Sequence, residues 1–322
     1  LRVDFYPSGS YVDMANEEHV ALLKKSLEIW NLWREENPDI KPDLCQANLC
    51  KADLASANLE SANLCEAVLT SANLKSANLC CAQLSRANLT QANLLEANLT
   101  RAHLFQAKLK MADLSKADLS QANLASADLS ETTFRDAKLV GTNLSGADLG
   151  ATDMMRANLG EANLSHARLG GANFTEAVLT RANFSKTNIT QADFSEANLE
   201  QADLSEAFLY GSELRKANLT EADLAHADLS RANLTEANLS GADLAKANLT
   251  GANFSKAVLT GANLCLAKLT GANFSWAKLE GAIITWTDLD ANFSHADLTN
   301  ADLTRSHRSD GNFYQAKLPD SK

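Results

Sequence analysis

From Leu44 to Leu289 an apolar residue returns at every fifth position, and from Leu49 onward a small residue stands two places before it. All fifty central positions in that interval are Leu, Phe, Met or Ile. Of the forty-nine small positions from Ala47 to Thr287, forty-three are Ala and the rest Thr or Ser. Asn or Asp usually sits between the two, and two variable positions complete the unit. In extended chain, successive side chains alternate between faces. In Ala47-Asn48-Leu49-Cys50-Lys51, Ala47 and Leu49 therefore point one way and Asn48 the other. The next unit needs Ala52 and Leu54 on the inside, so Cys50 and Lys51 must both face out. Two outward residues in a row make a corner. A corner every five residues winds the chain about an axis lined by Leu and Ala.

This pattern predicts an all-β solenoid. Stacked coils should pair backbone to backbone at about 4.8 Å, with corners too frequent for long strands. Fully burying one Leu contributes roughly 1.5–3 kcal/mol, against a backbone entropy cost of order 1–2 kcal/mol per ordered residue. Such an array draws stability from nearest neighbours and needs covered ends.

Units such as Ala57-Asn58-Leu59-Glu60-Ser61 and Ala62-Asn63-Leu64-Cys65-Glu66 resemble the A(N/D)LXX motif of the pentapeptide-repeat family. The resemblance covers roughly residues 42–318. It implies a right-handed, four-sided β-helix with about twenty residues per coil, hence about fourteen coils and a length of roughly 65 Å. The leader HVALLKKSLEIWNLWREENPDIKPDL resembles those preceding such arrays in cyanobacterial members.

The expected organisation is an N-terminal tail (1–15), a capping helix and linker (16–41), the β-helix (42–303) and an irregular C-terminal closure (304–322). Asn16 reads as a helix N-cap with Glu17 and Glu18 in the first turn. Val20, Leu22, Leu23, Leu27, Ile29, Trp30 and Trp33 cover about half of one helical circumference, and Pro38 and Pro42 end the helix. The expected role of this element is to cover the open end of the Leu core; a partner-binding helix is the alternative. Phe5, Tyr6 and Tyr11 suggest an ordered tail or short strand. Between Leu289 and Phe293 the register slips by one residue, and at Arg308 a charged residue takes a central position.

Twenty-nine basic against forty acidic residues give a net charge of −11. That balance disfavours direct nucleic-acid binding. No run of 18 apolar residues suggests a membrane span, and without a legible secretory leader the expected location is the cytoplasm. Five of the six cysteines lie between Cys45 and Cys81. At twenty residues per coil, Cys45 and Cys65 occupy equivalent outward sites on adjacent coils, within disulfide reach. The alternative is that Cys simply replaces Ser at variable positions. No CxxC or HxxxH spacing suggests a metal.

Catalysis needs polar groups converging in a concavity, which a convex rod does not offer. His166 and His226 share a face but lie three coils apart, about 14 Å. No catalytic residue, cofactor or metal is therefore expected. Some members of the family protect gyrase and are thought to imitate duplex DNA, which makes a DNA-mimic regulator the alternative function. Such a mimic needs an acidic ridge. Here one corner column instead reads Glu96, Lys116, Asp136, Arg156, Glu176, Glu196, Lys216, Glu236, Lys256, with signs mostly alternating. Threonine stacks that could order ice are broken by Lys110 and Asp290.

The informative departures are apolar residues at outward positions. Phe208 and Tyr210 flank Leu209. Leu266 and Trp286 fall on adjacent coils, with Ile283 nearby and Trp276 around a corner. Exposed apolar clusters often mark interfaces. These six are the candidate partner-binding residues of a noncatalytic scaffold with a protein partner, and the C-terminal group suggests self-association. Alternatively, Phe313 and Tyr314 fold back over Leu266, Ile283 and Trp286.

Overall fold

The computed structural model describes residues 15–308 and 310–319. Phe5, Tyr6 and Tyr11 therefore lie outside the described residues. Every donor in the five-residue unit has a defined destination. Leu44 N–H donates to Asn63 O at 2.7 Å, Gln46 N–H to Cys65 O at 2.8 Å, and Asn63 N–H reaches back to Pro42 O at 2.8 Å. Ala47 N–H closes the corner onto Leu44 O at 3.0 Å. The fifth donor, Cys65 N–H, is accepted by the Asn63 side-chain oxygen at 3.2 Å. That last bond is an Asx turn, repeated at most corners. It explains the Asn or Asp of the motif: the side chain caps the corner, and its amide often bonds the same position one coil away, as Asn63 Nδ2 does to Asp43 at 3.0 Å. These residues are more than interchangeable surface groups.

The parallel bridges join residues twenty apart, from Asp43↔Asn63 through Asn263↔Ile283. Four five-residue units thus complete each coil. Only Ala272–Asn273 (β1) and Ala291–Asn292 (β2) pair over two consecutive residues among the described residues. The corner takes its turn from the second outward residue, which adopts a left-handed backbone, as at Lys51 (φ 56°) and Cys81 (φ 58°). Gly relieves that conformation at positions such as Gly241 (φ 68°).

The central residues from Leu44 to Leu298 are buried, with Ala packed beside most of them. Where Ala gives way to Thr132, Thr142, Thr152, Thr187, Ser212 or Thr287, the hydroxyl bonds a buried carbonyl; Thr142 donates to Leu119 O at 2.8 Å. Aromatic centres stack at the coil spacing. Phe254, Phe274, Phe293 and Phe313 form one parallel column with centroids 4.8, 5.1 and 5.1 Å apart.

The leader departs from the single helix expected. It forms α1 (Glu17–Lys25) and α2 (Leu27–Glu36), separated by Ser26 in an extended conformation. Asn16 caps α1, accepting from Glu18 and His19 N–H. The break lets both segments reach the array: Leu23 and Trp30 are each buried against the first coil. Trp30 Nε1 donates to Asn58 O at 2.9 Å, Asn58 N–H donates to Asn31, and Arg34 donates to Glu60 O at 3.0 Å. On the neighbouring side Asn16 N–H donates to Asp43 O, and Asp43 N–H donates to His19 Nδ1.

The slip after Leu289 is a corner built with one residue fewer. Ala291 N–H closes onto Leu289 O, two residues back instead of three, and bridges across it span nineteen residues, as in Lys278↔Asp297. The shortened corner leaves no room one coil later. A Cβ at Gly311, where the motif has Ala, would run into the Leu289 carbonyl.

Beyond residue 303 the expected irregular closure is not found among the described residues. The same turns and bridges continue through Asn292↔Asn312 and Asp297↔Lys317. Arg308 is tolerated because it is exposed among the described residues, with its guanidinium over the Phe313 ring at 5.2 Å. The last coil also holds an ion pair, Lys317 to Asp297 at 2.6 Å. The hydrogen bond from Lys317, aided by Thr299, draws the Asp297 carboxyl down to about 2. A folded-state value below the unfolded one, about 3.9, stabilises above the unfolded value and loses that contribution as pH falls from about 4 to about 2. Amide protection at Leu298 and Lys317 should therefore drop across that window. A Lys317→Ala variant should lack this additional drop, and identical acid profiles for the two proteins would contradict the assignment.

Candidate interaction surfaces

Because both corner residues face out, each coil presents its chemistry in columns, and most charged columns are self-compensating. Arg156 meets Asp136 at 2.7 Å, Lys216 meets Glu196 at 3.2 Å and Lys256 meets Glu236 at 3.8 Å, each pair one coil apart. Arg156 holds the Asp136 carboxyl below its ordinary range. Exposed pairs of this kind add little stability because water screens them, but they do remove any continuous acidic ridge from that column. Among the described residues no three His, Cys, Asp or Glu side chains gather where a metal could sit. No helix among them is long and apolar enough to cross a membrane.

Phe208 and Tyr210 project from one face, as the parity of the repeat requires, and both are exposed. Phe208 stands at the Asx position, between Asn188 and Asp228 in the bridge ladder, and has no oxygen to cap its own corner. The face around it is not uniformly convex. A shallow depression is lined by His166, Arg168, Lys186, Asn188, Phe208 and Tyr210, and a second by Glu206, Phe208, His226 and Asp228. His166 and His226 thus flank the same aromatic from opposite sides. Lys186 is paired to Glu206 and Arg168 to Asp148, while Arg231 donates to the Tyr210 hydroxyl at 3.2 Å with its guanidinium 5.8 Å from the ring.

The second group lies near the C-terminal end. Leu266, Trp276, Ile283 and Trp286 are all exposed, Trp276 most of all at 59%. Phe313 and Tyr314 do not fold over them. Phe313 is held in the internal Phe column, and Tyr314 packs edge-on to His295 at 5.6 Å. Two neighbours were hidden by the register slip. Trp276 stacks flat on His295 at 4.1 Å, and Arg305 lies over the Trp286 ring at 4.4 Å. Both contacts span nineteen residues, so a strict twenty-residue alignment misses them.

Cys50, Cys65, Cys80, Cys81 and Cys265 are free thiols. Cys45 is buried, and partial burial pushes the Cys65 thiol up from its ordinary value.

The family model for pentapeptide repeats matches in eight copies, over residues 47–80, 82–121, 117–156, 157–195, 192–231, 212–251, 247–285 and 290–320. No curated protein sequence matches. Among solved structures, the chain is similar to HetL, a pentapeptide repeat protein involved in heterocyst differentiation regulation from the cyanobacterium Nostoc sp. strain PCC 7120. The two share 34% identity over 71% of this chain and 90% of that one, with a TM-score of 0.34. It is also similar to QnrB1, a plasmid-mediated fluoroquinolone resistance protein, at 23% identity over 56% of this chain and 91% of that one, TM-score 0.34. A third similar structure is the pentapeptide repeat protein Rfr23 from the cyanobacterium Cyanothece 51142. It shows 28% identity over 44% of this chain and 88% of that one, TM-score 0.21. With the five-residue corner, the twenty-residue ladder and the repeat matches in agreement, the chain belongs to the pentapeptide-repeat family and folds as its right-handed quadrilateral β-helix.

Proposed function

We propose that this protein is a noncatalytic, rigid interaction rod of about fourteen coils, roughly 65 Å long. Its work is to hold two aromatic patches at fixed separation for protein partners. The observation that carries this reading is the exposure of Phe208, Tyr210, Leu266, Trp276, Ile283 and Trp286 on coils whose other outward residues are mostly polar. A rod with a continuous apolar core resists bending, so a partner meets side chains already fixed on the coil grid and little ordering cost remains. The leader acts as the N-terminal cap. Its hydrogen bonds to Asp43, Asn58 and Glu60 occupy backbone groups that a preceding coil would otherwise pair.

The C-terminal end carries no comparable cover among the described residues, and we place self-association there, through Trp276 and Trp286. Sedimentation of the wild type should give a mass that rises with concentration. A Trp276→Ser/Trp286→Ser variant should remain at the monomer mass. Equal masses for the two proteins would remove these residues from the interface. The sign-alternating columns favour this reading over imitation of duplex DNA. Gyrase supercoiling should accordingly be unchanged at about micromolar protein; inhibition or protection there would reverse the preference.

A further inference from the structure

Consecutive side chains on a regular strand face opposite ways, so neighbouring cysteines in a strand cannot act together. The corner of this fold breaks that rule, and at one corner both outward residues are cysteines. Cys80 and Cys81 bring their sulfurs to 3.5 Å, and both side chains are partly open to solvent. Their backbone is held from several directions. Cys80 N–H donates to Asn78 Oδ1 at 3.1 Å, Ser61 N–H donates to Cys80 O at 2.8 Å, and Cys81 N–H donates to Thr100 O at 2.9 Å. Cys81 has the left-handed corner conformation, φ 58°. The two thiols are therefore presented together before any ligand arrives.

Three fates of such a pair can be weighed by geometry. A direct disulfide must close the sulfurs to about 2.05 Å across α-carbons about 3.8 Å apart, shorter than the usual 4.4–6.8 Å or so for disulfides. That bond would be strained. A zinc ion needs four ligands, and no third His, Cys, Asp or Glu of the described residues joins the pair. An acceptor satisfied by two sulfurs fits as the site stands. With bonds of about 2.3 Å, as in zinc thiolates, the 3.5 Å separation subtends about 100° at the bound atom, close to the pyramidal angles of trivalent arsenic.

We propose that Cys80 and Cys81 form a bidentate capture site for trivalent arsenicals. For an organoarsenic oxide, two As–S bonds form and the arsenic–oxygen bond breaks. The two thiol protons leave with that oxygen as one water molecule, and arsenic stays trivalent. The hydrogen bond to Cys80, helped by partial burial, keeps the Cys81 thiol above its ordinary pKa. Capture therefore starts from protonated thiols and quickens as pH rises.

The test uses the full-length reduced protein and phenylarsine oxide, read by intact mass and thiol titration. The wild type should take up one phenylarsenic group with loss of one water and two titratable thiols, reversed by a small dithiol. Cys80→Ser and Cys81→Ser should each abolish the adduct that survives monothiol competitors. Both should fold, because Ser occupies the same two corner positions elsewhere, as in Ser115 and Ser76. A Cys45→Ser/Cys65→Ser variant should bind like the wild type. The assignment fails if the wild type takes up no arsenical, if either single serine variant retains it, or if uptake follows Cys45 and Cys65.

Discussion

Leu164→Lys should dismantle the middle of the rod. Leu164 is fully buried at a central position, and its backbone is fixed by Leu164 N–H to Asn183 O at 2.7 Å. The ammonium would enter a column of Leu and Phe with no carboxylate to meet it. Burying an unpaired charge is among the few single changes that cost on the order of 4 kcal/mol or more. Because coils support only their neighbours, the damage should begin locally and split the array into two shorter stacks. A urea melt should lose its single transition or shift to a far lower midpoint. Ser165→Lys, one residue along and facing out, should change stability by no more than about 0.5 kcal/mol. Wild-type melting for Leu164→Lys, or equal damage from both changes, would contradict the assignment of inside and outside.

The second large effect is expected from Trp30→Ala. Trp30 is fully buried between α2 and the first coil, and its indole N–H satisfies Asn58 O. Truncation of a buried Trp costs about 3–5 kcal/mol, and the orphaned carbonyl adds to that unless water reaches it. The loss should be confined to the N-terminal coils. Hydrogen exchange at Leu44, Leu49, Leu54 and Leu59 should accelerate strongly, while Leu164 and Leu209 keep their protection. The uncovered edge should also promote association at high concentration. Uniform acceleration along the rod, or none at Leu44–Leu59, would show that α2 is not what covers this end.

Much of the architecture was legible because one physical constraint repeats. Period-five burial forces paired outward residues, and that alone locates the Leu core, the Ala layer and the corners. Twenty residues per coil came only from family resemblance, since parity does not count sides. What escaped the reading depends on contacts between coils or beyond them. Nothing local marks Ser26 as a break; it becomes one because Leu23 and Trp30 must both reach the first coil. Outward parity alone does not show that Asn63 caps its own corner through an oxygen two residues from the N–H it accepts. Arg308 read as a failure of the repeat, but its side chain is exposed and lies over the Phe313 ring instead of entering the core. Phe208, Tyr210, Leu266, Trp276, Ile283 and Trp286 were legible as outward apolar departures. Their neighbours His295 and Arg305 were not, because the short corner at Asp290 shifts them by one place.

That short corner ties together two positions that look unrelated on paper. Gly311 lacks a side chain because the Leu289 carbonyl already fills the space below it. Restoring the missing residue after Asp290 would make room there, whereas adding a methyl at 311 alone would force the backbones apart. The two changes should thus be strongly non-additive. Across relatives, an insertion at one site and the return of alanine at the other should appear as a covarying pair.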